Sequence, residues 1–339
     1  MNRIHRNESA MYAACGYSCD HAIYLKLGRD AWLITDGRYT LDAQRHVRGA
    51  EVVTVRDLPK EAARRIRKNG IKTIKYDPKE WDVYTFERLR NSAPVCWRPK
   101  PLLSQKERII KTPREIDVLA QAARIGAEAF DAFAAWIGEH GMGQSEQQLY
   151  RMAKTVLEGD AGRSLSFDPI VAVGANAAKP HARPDRTVLK RGDVLLVDAG
   201  IQYQRYCSDR TRTARVASGF DFGLTQRFKK KKVQKAYDAV CKAHDRAIAK
   251  VRSGMRARQI DALARTVIEQ AGFGSYFVHA TGHGVGLDIH ELPVIASHSR
   301  TRIEDGMVYT IEPGIYIPDL FGIRIEDTVV MEQGRARVL

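Results

Sequence analysis

Residues 194–213 read VLLVDAGIQYQRYCSDRTRT. The apolar run Val194–Val197 predicts a strand, and Asp198 ends it. Asp209 follows 11 residues later, after a polar stretch. A turn centred on Tyr203-Gln204 sets the two aspartates opposite each other on an antiparallel ladder. Directly opposed residues have Cβ atoms ~4.5–5.5 Å apart.

A second pair of acids closes the chain in the same manner. Glu312 ends MVYTI, Pro313-Gly314 breaks the run, and Glu326 lies in IRIED. Arg324 and Glu326, two apart, share one face of a strand, and Ile323 and Ile325 take the other. Four carboxylates brought together repel one another: two like charges 4 Å apart cost about 4 kcal/mol at an effective dielectric of 20. Two divalent cations cancel four negative charges. An imidazole is at hand in HATGHGVGLDIHELP (279–293), where glycines 282, 284 and 286 flank His283 and allow close backbone approach. The glycine spacing is not GxGxxG and gives no phosphate loop. An oxygen-rich set with one imidazole suits Mn²⁺, Co²⁺ or Zn²⁺, and bridging carboxylates hold such ions ~3.5–4 Å apart.

Upstream of residue 194, Thr112-Pro113-Arg114-Glu115 predicts a helix start with a capping box, and the apolar spacing continues to Gly141. Ser145 and Gln148 open a second helix that stops near Gly159, and FDPIVAVG, DVLLVDAG and QYQRYCSD follow as strand-like segments. The order then repeats. Helices are expected over about 226–251 and 258–271, followed by strand-like FVHAT, MVYTIE and GIRIEDTVV. Residues 106–339 therefore read as two helix-helix-strand-strand halves. The N-terminal region shows a hairpin over 22–35, a basic helix in EAARRIRKNG, a strand in KTIKY, and a connector in WRPKPLLSQKER. The domain boundary falls near residue 105, giving domains 1–105 and 106–339.

The chain has 339 residues, 44% hydrophobic and 28% charged, which fits an ordinary globular protein with a sizeable core. No run approaches the ~20 apolar residues of a membrane span. No apolar signal core follows the first arginines, and five scattered cysteines make no disulfide framework, so a cytoplasmic protein is expected. The net charge is +15, of which residues 1–103 carry +8. Such a field attracts acidic partners. Lys229–Lys232 lies in a predicted helix, where consecutive residues point in different directions, and no aromatic residue interleaves it. Nucleic-acid binding is expected to be weak and non-specific, vanishing by ~0.15 M salt.

VDAGIQYQRYCSDRTRT, HATGHGVGLDIHE, TIEPG and GIRIEDT resemble, in order and spacing, the metal motifs of the pita-bread metallopeptidases. That family includes Xaa-Pro aminopeptidases, prolidases, methionine aminopeptidases and creatinase. NESAMYAACGYS and LITDGRYTLDAQ resemble its creatinase-like N-terminal domain. The resemblance implies an α+β architecture, with a small α/β domain preceding a pita-bread catalytic domain. It implies that Asp198 chelates one metal, Asp209 and Glu326 bridge two, and His283 and Glu312 hold the second, with Mn²⁺ the expected ion. It further implies that His181 in AKPHARPDR lies over the substrate pocket and that His290 bonds the substrate carbonyl or oxyanion. His279 takes a supporting or substrate-contacting position, and Arg324 supports the bridging acids in the Xaa-Pro branch.

The activity so implied is metal-assisted hydrolysis of the bond before proline at a peptide N-terminus, with Glu312 passing a proton to the departing nitrogen. Xaa-Pro aminopeptidase is the expected type, with Xaa-Pro dipeptidase as the alternative and a homodimer as the expected assembly. A different class, a non-catalytic protein that uses its basic surface to hold nucleic acid or protein, would lack metal ligands; all five are present.

Overall fold

The computed structural model describes residues 2–339, and the chain divides into two compact units that meet at Arg108 and Ile109. The first unit runs β1 (Arg3–His5), α1 (Glu8–Cys15), β2 (Ala22–Leu27), β3 (Asp30–Thr35), α2 (Thr40–His46), β4 (Glu51–Thr54), α3 (Leu58–Lys68), β5 (Thr73–Tyr76), α4 (Val83–Ser92), β6 (Cys96–Pro99) and α5 (Leu103–Glu107). Its mixed sheet has the order β4-β3-β2-β1-β5-β6. β2 and β3 form the hairpin expected from sequence, pairing Leu27 with Asp30. Asn7, Asp57 and Asp82 cap α1, α3 and α4 by accepting from backbone N–H groups that have no partner within the helix.

The stretch expected to be a connector is instead an edge strand followed by a short helix. β6 runs parallel to β5 and brings Pro99 beside Tyr76. At a sheet edge, the N–H that proline lacks is not needed.

The second unit runs α6 (Pro113–Trp136), α7 (Glu146–Glu158), β7 (Ile170–Val173), β8 (Val194–Ala199), β9 (Gln202–Tyr203), β10 (Tyr206–Cys207), β11 (Arg210–Arg215), α8 (Lys231–Lys250), α9 (Ala257–Gln270), β12 (Gly282–Gly284), β13 (Glu291–Ile295), β14 (Val308–Ile311), β15 (Gly314–Ile317), β16 (Phe321–Arg324), β17 (Asp327–Glu332) and β18 (Arg335–Val338). Both expected capping boxes are present, at Thr112–Glu115 and Ser145–Gln148. In the first half α6 and α7 bury Phe130, Phe133 and Leu149 with Val171, Leu195 and Val197 of the antiparallel sheet β11-β8-β7. In the second, α8 and α9 bury Val240, Ile260 and Ile268 with Tyr309, Ile311 and Val329 of the sheet β13-β12-β14-β17-β18. Each such side chain contributes roughly 1.5–3 kcal/mol of burial. No helix among the described residues is long and apolar enough to cross a membrane.

Four local expectations are corrected. The turn between β9 and β10 centres on Gln204-Arg205, one residue later than expected, because both residues take left-handed φ values of 47° and 72°. That is the pattern of a type I′ turn, whose twist matches its strands. Asp198 is therefore paired with Thr211, and Asp209 is its diagonal neighbour on the same face. FVHAT is not a strand: the Arg265 guanidinium donates to the Phe277 and His279 carbonyls in place of a ladder. GIRIEDTVV divides into β16 and β17, because the Glu326 N–H leaves the ladder to donate to the Thr211 carbonyl. α8 starts at Lys231, since the Gln234 side chain accepts from the Phe228 N–H and holds the preceding chain as a loop; the lysine run thus straddles the helix start.

β16 also packs against the one-turn helix Gly174–Ala178. A Cβ on Gly322 would lie 1.7 Å from the Ala177 carbonyl oxygen, a backbone atom that cannot swing aside. Gly322→Ala is therefore expected to lower unfolding stability by about 1–3 kcal/mol in a denaturant titration. An unchanged midpoint would show that the close approach is not maintained.

Candidate metal centre

β8 carries Asp198 one residue before its end, Asp209 leads into β11, β12 carries His283, Glu312 follows β14, and Glu326 stands between β16 and β17. The strands of the two halves thus bring all five residues to the floor of one cavity of about 760 Å³. One donor atom each of Asp209, His283 and Glu326 lie within 4.8 Å of one another. His283 Nε2 is 3.5 Å from Asp209 Oδ2 and 3.4 Å from Glu312 Oε1. His283 Nδ1 lies 3.1 Å from the Gly284 carbonyl and donates to it, which leaves the Nε2 lone pair facing the acids.

Arg324 is buried beneath this floor. Its Nη2 donates to Asp198 Oδ2 at 2.5 Å, its Nη1 to the Tyr316 hydroxyl at 2.7 Å, and its Nε to Thr211 Oγ1 at 3.0 Å. Thr211 Oγ1 in turn donates to Glu326 Oε2 at 2.5 Å. One hydroxyl so links the first half of the unit to both Arg324 and Glu326 of the second. Thr213 adds to the joint by donating to the Arg324 carbonyl and accepting from its N–H. Tyr316 passes the chain on: its hydroxyl lies 2.8 Å from His279 Nε2, while His279 Nδ1 donates to the Ala280 carbonyl at 2.7 Å.

The electrostatics are those of an acid cluster short of positive charge. Burial, then the facing charges of Glu326, Asp198 and Glu312, push the Asp209 carboxyl well above its ordinary range. Burial, then Glu312 and Asp198, do the same to Glu326. Burial also raises Glu312, with His279 and Arg324 opposing. Burial works against the charge of Arg324, but Tyr316 and the acids around it outweigh that effect and hold its pKa well above normal. Burial lowers His279, His283 and, at the cavity mouth, His290, and it pushes Tyr316 up to about 12. Asp198 Oδ1 is buried without a hydrogen-bond partner. An unpaired buried acceptor and three carboxyls raised by burial and by neighbouring acids fit a site built to receive divalent cations.

The other residues singled out from sequence line the same cavity. His290 packs edge-on against His283, with ring centroids 4.3 Å apart. His181 is exposed on the cavity wall, and His279 lines it with both ring nitrogens already hydrogen-bonded. Thr211, Thr213 and Tyr316 had no role in the sequence reading. The only local hint was the strand alternation of RTRT, which places both threonines on the face that carries Asp198. Thr211→Val removes the shared hydroxyl and leaves Glu326 Oε2 and Arg324 Nε each short of a partner. A loss of about 1–3 kcal/mol in unfolding free energy is expected by chemical denaturation, whereas a neutral result would make the joint dispensable.

Residues 117–333 match the model of metallopeptidase family M24. A Xaa-Pro dipeptidase of Pyrococcus furiosus is 38% identical over 232 residues, 68% of this chain and 63% of its own, so the match spans just under two thirds of that relative. A putative Xaa-Pro aminopeptidase of Mycoplasma genitalium is 34% identical, covering 90% of this chain and 82% of its own. Among solved structures, a Xaa-Pro dipeptidase from Bacillus anthracis superposes with a TM-score of 0.91 at 32% identity, covering 99% of this chain and 92% of that one. The α/β domain followed by a pita-bread domain is thus a fold shared over the full chain. M24 membership implies a divalent metal, and the chain belongs to metallopeptidase family M24.

Proposed function

We propose that this protein hydrolyses the bond between the first residue of a peptide and a proline in second position, using two divalent ions, with Mn²⁺ the best suited to so oxygen-rich a donor set. The observation that carries the reading is the convergence of four carboxylates and the free Nε2 of His283 on one cavity floor. Asp198, Asp209, His283, Glu312 and Glu326 would hold the ions. When bound, such ions supply Lewis acidity and make hydroxide available near neutral pH.

The rest of the work falls to side chains. His290, at the cavity mouth and in contact with His283, donates to the oxygen of the scissile carbonyl as negative charge develops there. Glu312, 3.4 Å from His283, takes the proton given up by the attacking water and relays it to the proline nitrogen, which leaves poorly without one. His181 overlies the proline. Arg324 fixes Asp198, and Tyr316 ties Arg324 to His279, so His279 serves as a support. The substrate's free α-amine would bind near the metal site, which limits cleavage to N-terminal residues.

Aminopeptidase action on longer peptides and dipeptidase action share this chemistry, and relatives bear both names. The test is a panel of a Xaa-Pro dipeptide, a Xaa-Pro-Yaa tripeptide and a Met-Ala peptide, with elemental analysis of chelated and reloaded protein. The expected result is cleavage of the proline peptides alone, about two ions per chain, and loss of activity on chelation. Full activity in metal-free protein, or cleavage confined to the Met-Ala peptide, overturns the reading. Salt-resistant nucleic-acid binding by a metal-loaded but inactive protein would favour the non-catalytic alternative.

A further inference from the structure

The segment 277–281 forms no strand, yet it leads directly into His283, and its last carbonyl accepts from the Glu312 N–H. It is held from α9 by a charged pair that the proposed chemistry does not use. Asp261 is buried, and its carboxylate accepts a fork from Arg265, one turn further along the helix: Nε to Oδ2 at 2.8 Å and Nη2 to Oδ1 at 3.0 Å. The same guanidinium donates onward, through Nη1 to the Phe277 carbonyl at 3.0 Å and through Nη2 to the His279 carbonyl at 2.9 Å. It also lies 4.2 Å from the centroid of the Phe277 ring. Asp261 Oδ1 in addition accepts from the buried Thr281 hydroxyl at 2.7 Å.

Thr281 is where this clamp meets the metal centre. Its N–H donates to the Ile295 carbonyl and its carbonyl accepts from the Glu312 N–H, both at 2.8 Å. Two residues on, the His283 N–H donates to Thr310 Oγ1 at 3.1 Å, and that hydroxyl donates to Glu312 Oε1 at 3.3 Å. The places of His283 and Glu312 are therefore both set next to one residue that α9 grips. Among the described residues, no hydrogen bond of the clamp goes to Asp198 or Asp209, the acids of the first half. The helix does not need the pair for its own attachment, because Ile260, Ala264, Val267 and Ile268 already bury its apolar face. A buried ion pair adds little net stability over an apolar replacement, so its value lies in what it orients. Ligands held in place beforehand bind an ion more tightly, since less ordering accompanies binding.

We propose that Asp261, Arg265 and Thr281 are positioning residues for the half of the metal centre that holds His283 and Glu312, and that they set the affinity for the ion bound there. The inference rests on the proposed two-ion reading and deepens it by making the two ions separable.

The test titrates Mn²⁺ into chelated protein by calorimetry and counts the ions each chain retains. Wild type is expected to take about two. Thr281→Val keeps the side chain's shape but removes the donor to Asp261, and Arg265→Gln removes the fork. Each variant is expected to hold one ion within about threefold of wild-type affinity and the other about 10–100-fold more weakly. Thr281→Ser, which keeps the hydroxyl, should restore the weakened ion. Excess Mn²⁺ should return Thr281→Val to near wild-type turnover. Should Arg265→Gln fail to fold, Thr281→Val decides. Variants that bind both ions as wild type does, or weaken both to the same degree, overturn the inference alone. A Thr281→Ser protein no better than Thr281→Val overturns it too. Wild type that takes fewer than two ions strikes the parent reading instead.

Discussion

Four carboxylates facing one buried space are the constraint on which the rest of this structure depends. Each pair at close range costs about 4 kcal/mol at an effective dielectric of 20, and the cost rises as water is excluded. Among the described residues the permanent cation paired with them is Arg324, which lies 2.5 Å from Asp198 and is itself buried. The remaining charge is unmatched, and burial first, then these facing charges, push the Asp209 and Glu326 carboxyls well above the ordinary range. A protein that keeps such a cluster must fill it with protons or with metal.

The fold can be understood as the scaffold that holds this repulsive set together. Each half buries two helices on its own sheet and carries its acids at strand ends, so neither half alone contains the full set. The joint between them is polar and short: the Glu326 N–H to the Thr211 carbonyl, the Thr211 hydroxyl to Glu326, and Thr213 to the backbone of Arg324. Hydrogen bonds to charged groups in a dry interior are stronger than neutral ones. They act where the carboxylates would otherwise drive the halves apart.

What the sequence made legible follows from how local each signal is. The capping boxes at Thr112 and Ser145 and the hairpin over 22–35 involve residues a few positions apart, and their chemistry can be read directly. The acids and His283 were legible as motifs. The register of the Asp198 hairpin was not, because Gln204 and Arg205 adopt left-handed φ without the Gly or Asn that usually announces it. The break at Ile325-Glu326 was hidden for another reason: its cause is a hydrogen bond to Thr211, 115 residues away. The same holds for Tyr316 and for Glu146, whose partners in the 173–185 segment are contributed by a different part of the chain. Sequence periodicity carries no information on such contacts.

The central claim is that the acid cluster is a cation site under electrostatic strain, and thermal unfolding of chelated protein at rising free Mn²⁺ tests it most directly. An ion that binds only the folded state stabilises it by about 4 kcal/mol at a thousandfold excess over Kd. The unfolding midpoint of wild type should therefore climb steadily with Mn²⁺. Chelated Asp209→Asn, relieved of one charge, should melt no lower than chelated wild type yet gain far less from the metal. A wild-type midpoint that does not move with Mn²⁺, or a chelated Asp209→Asn protein that melts well below chelated wild type, would contradict the account.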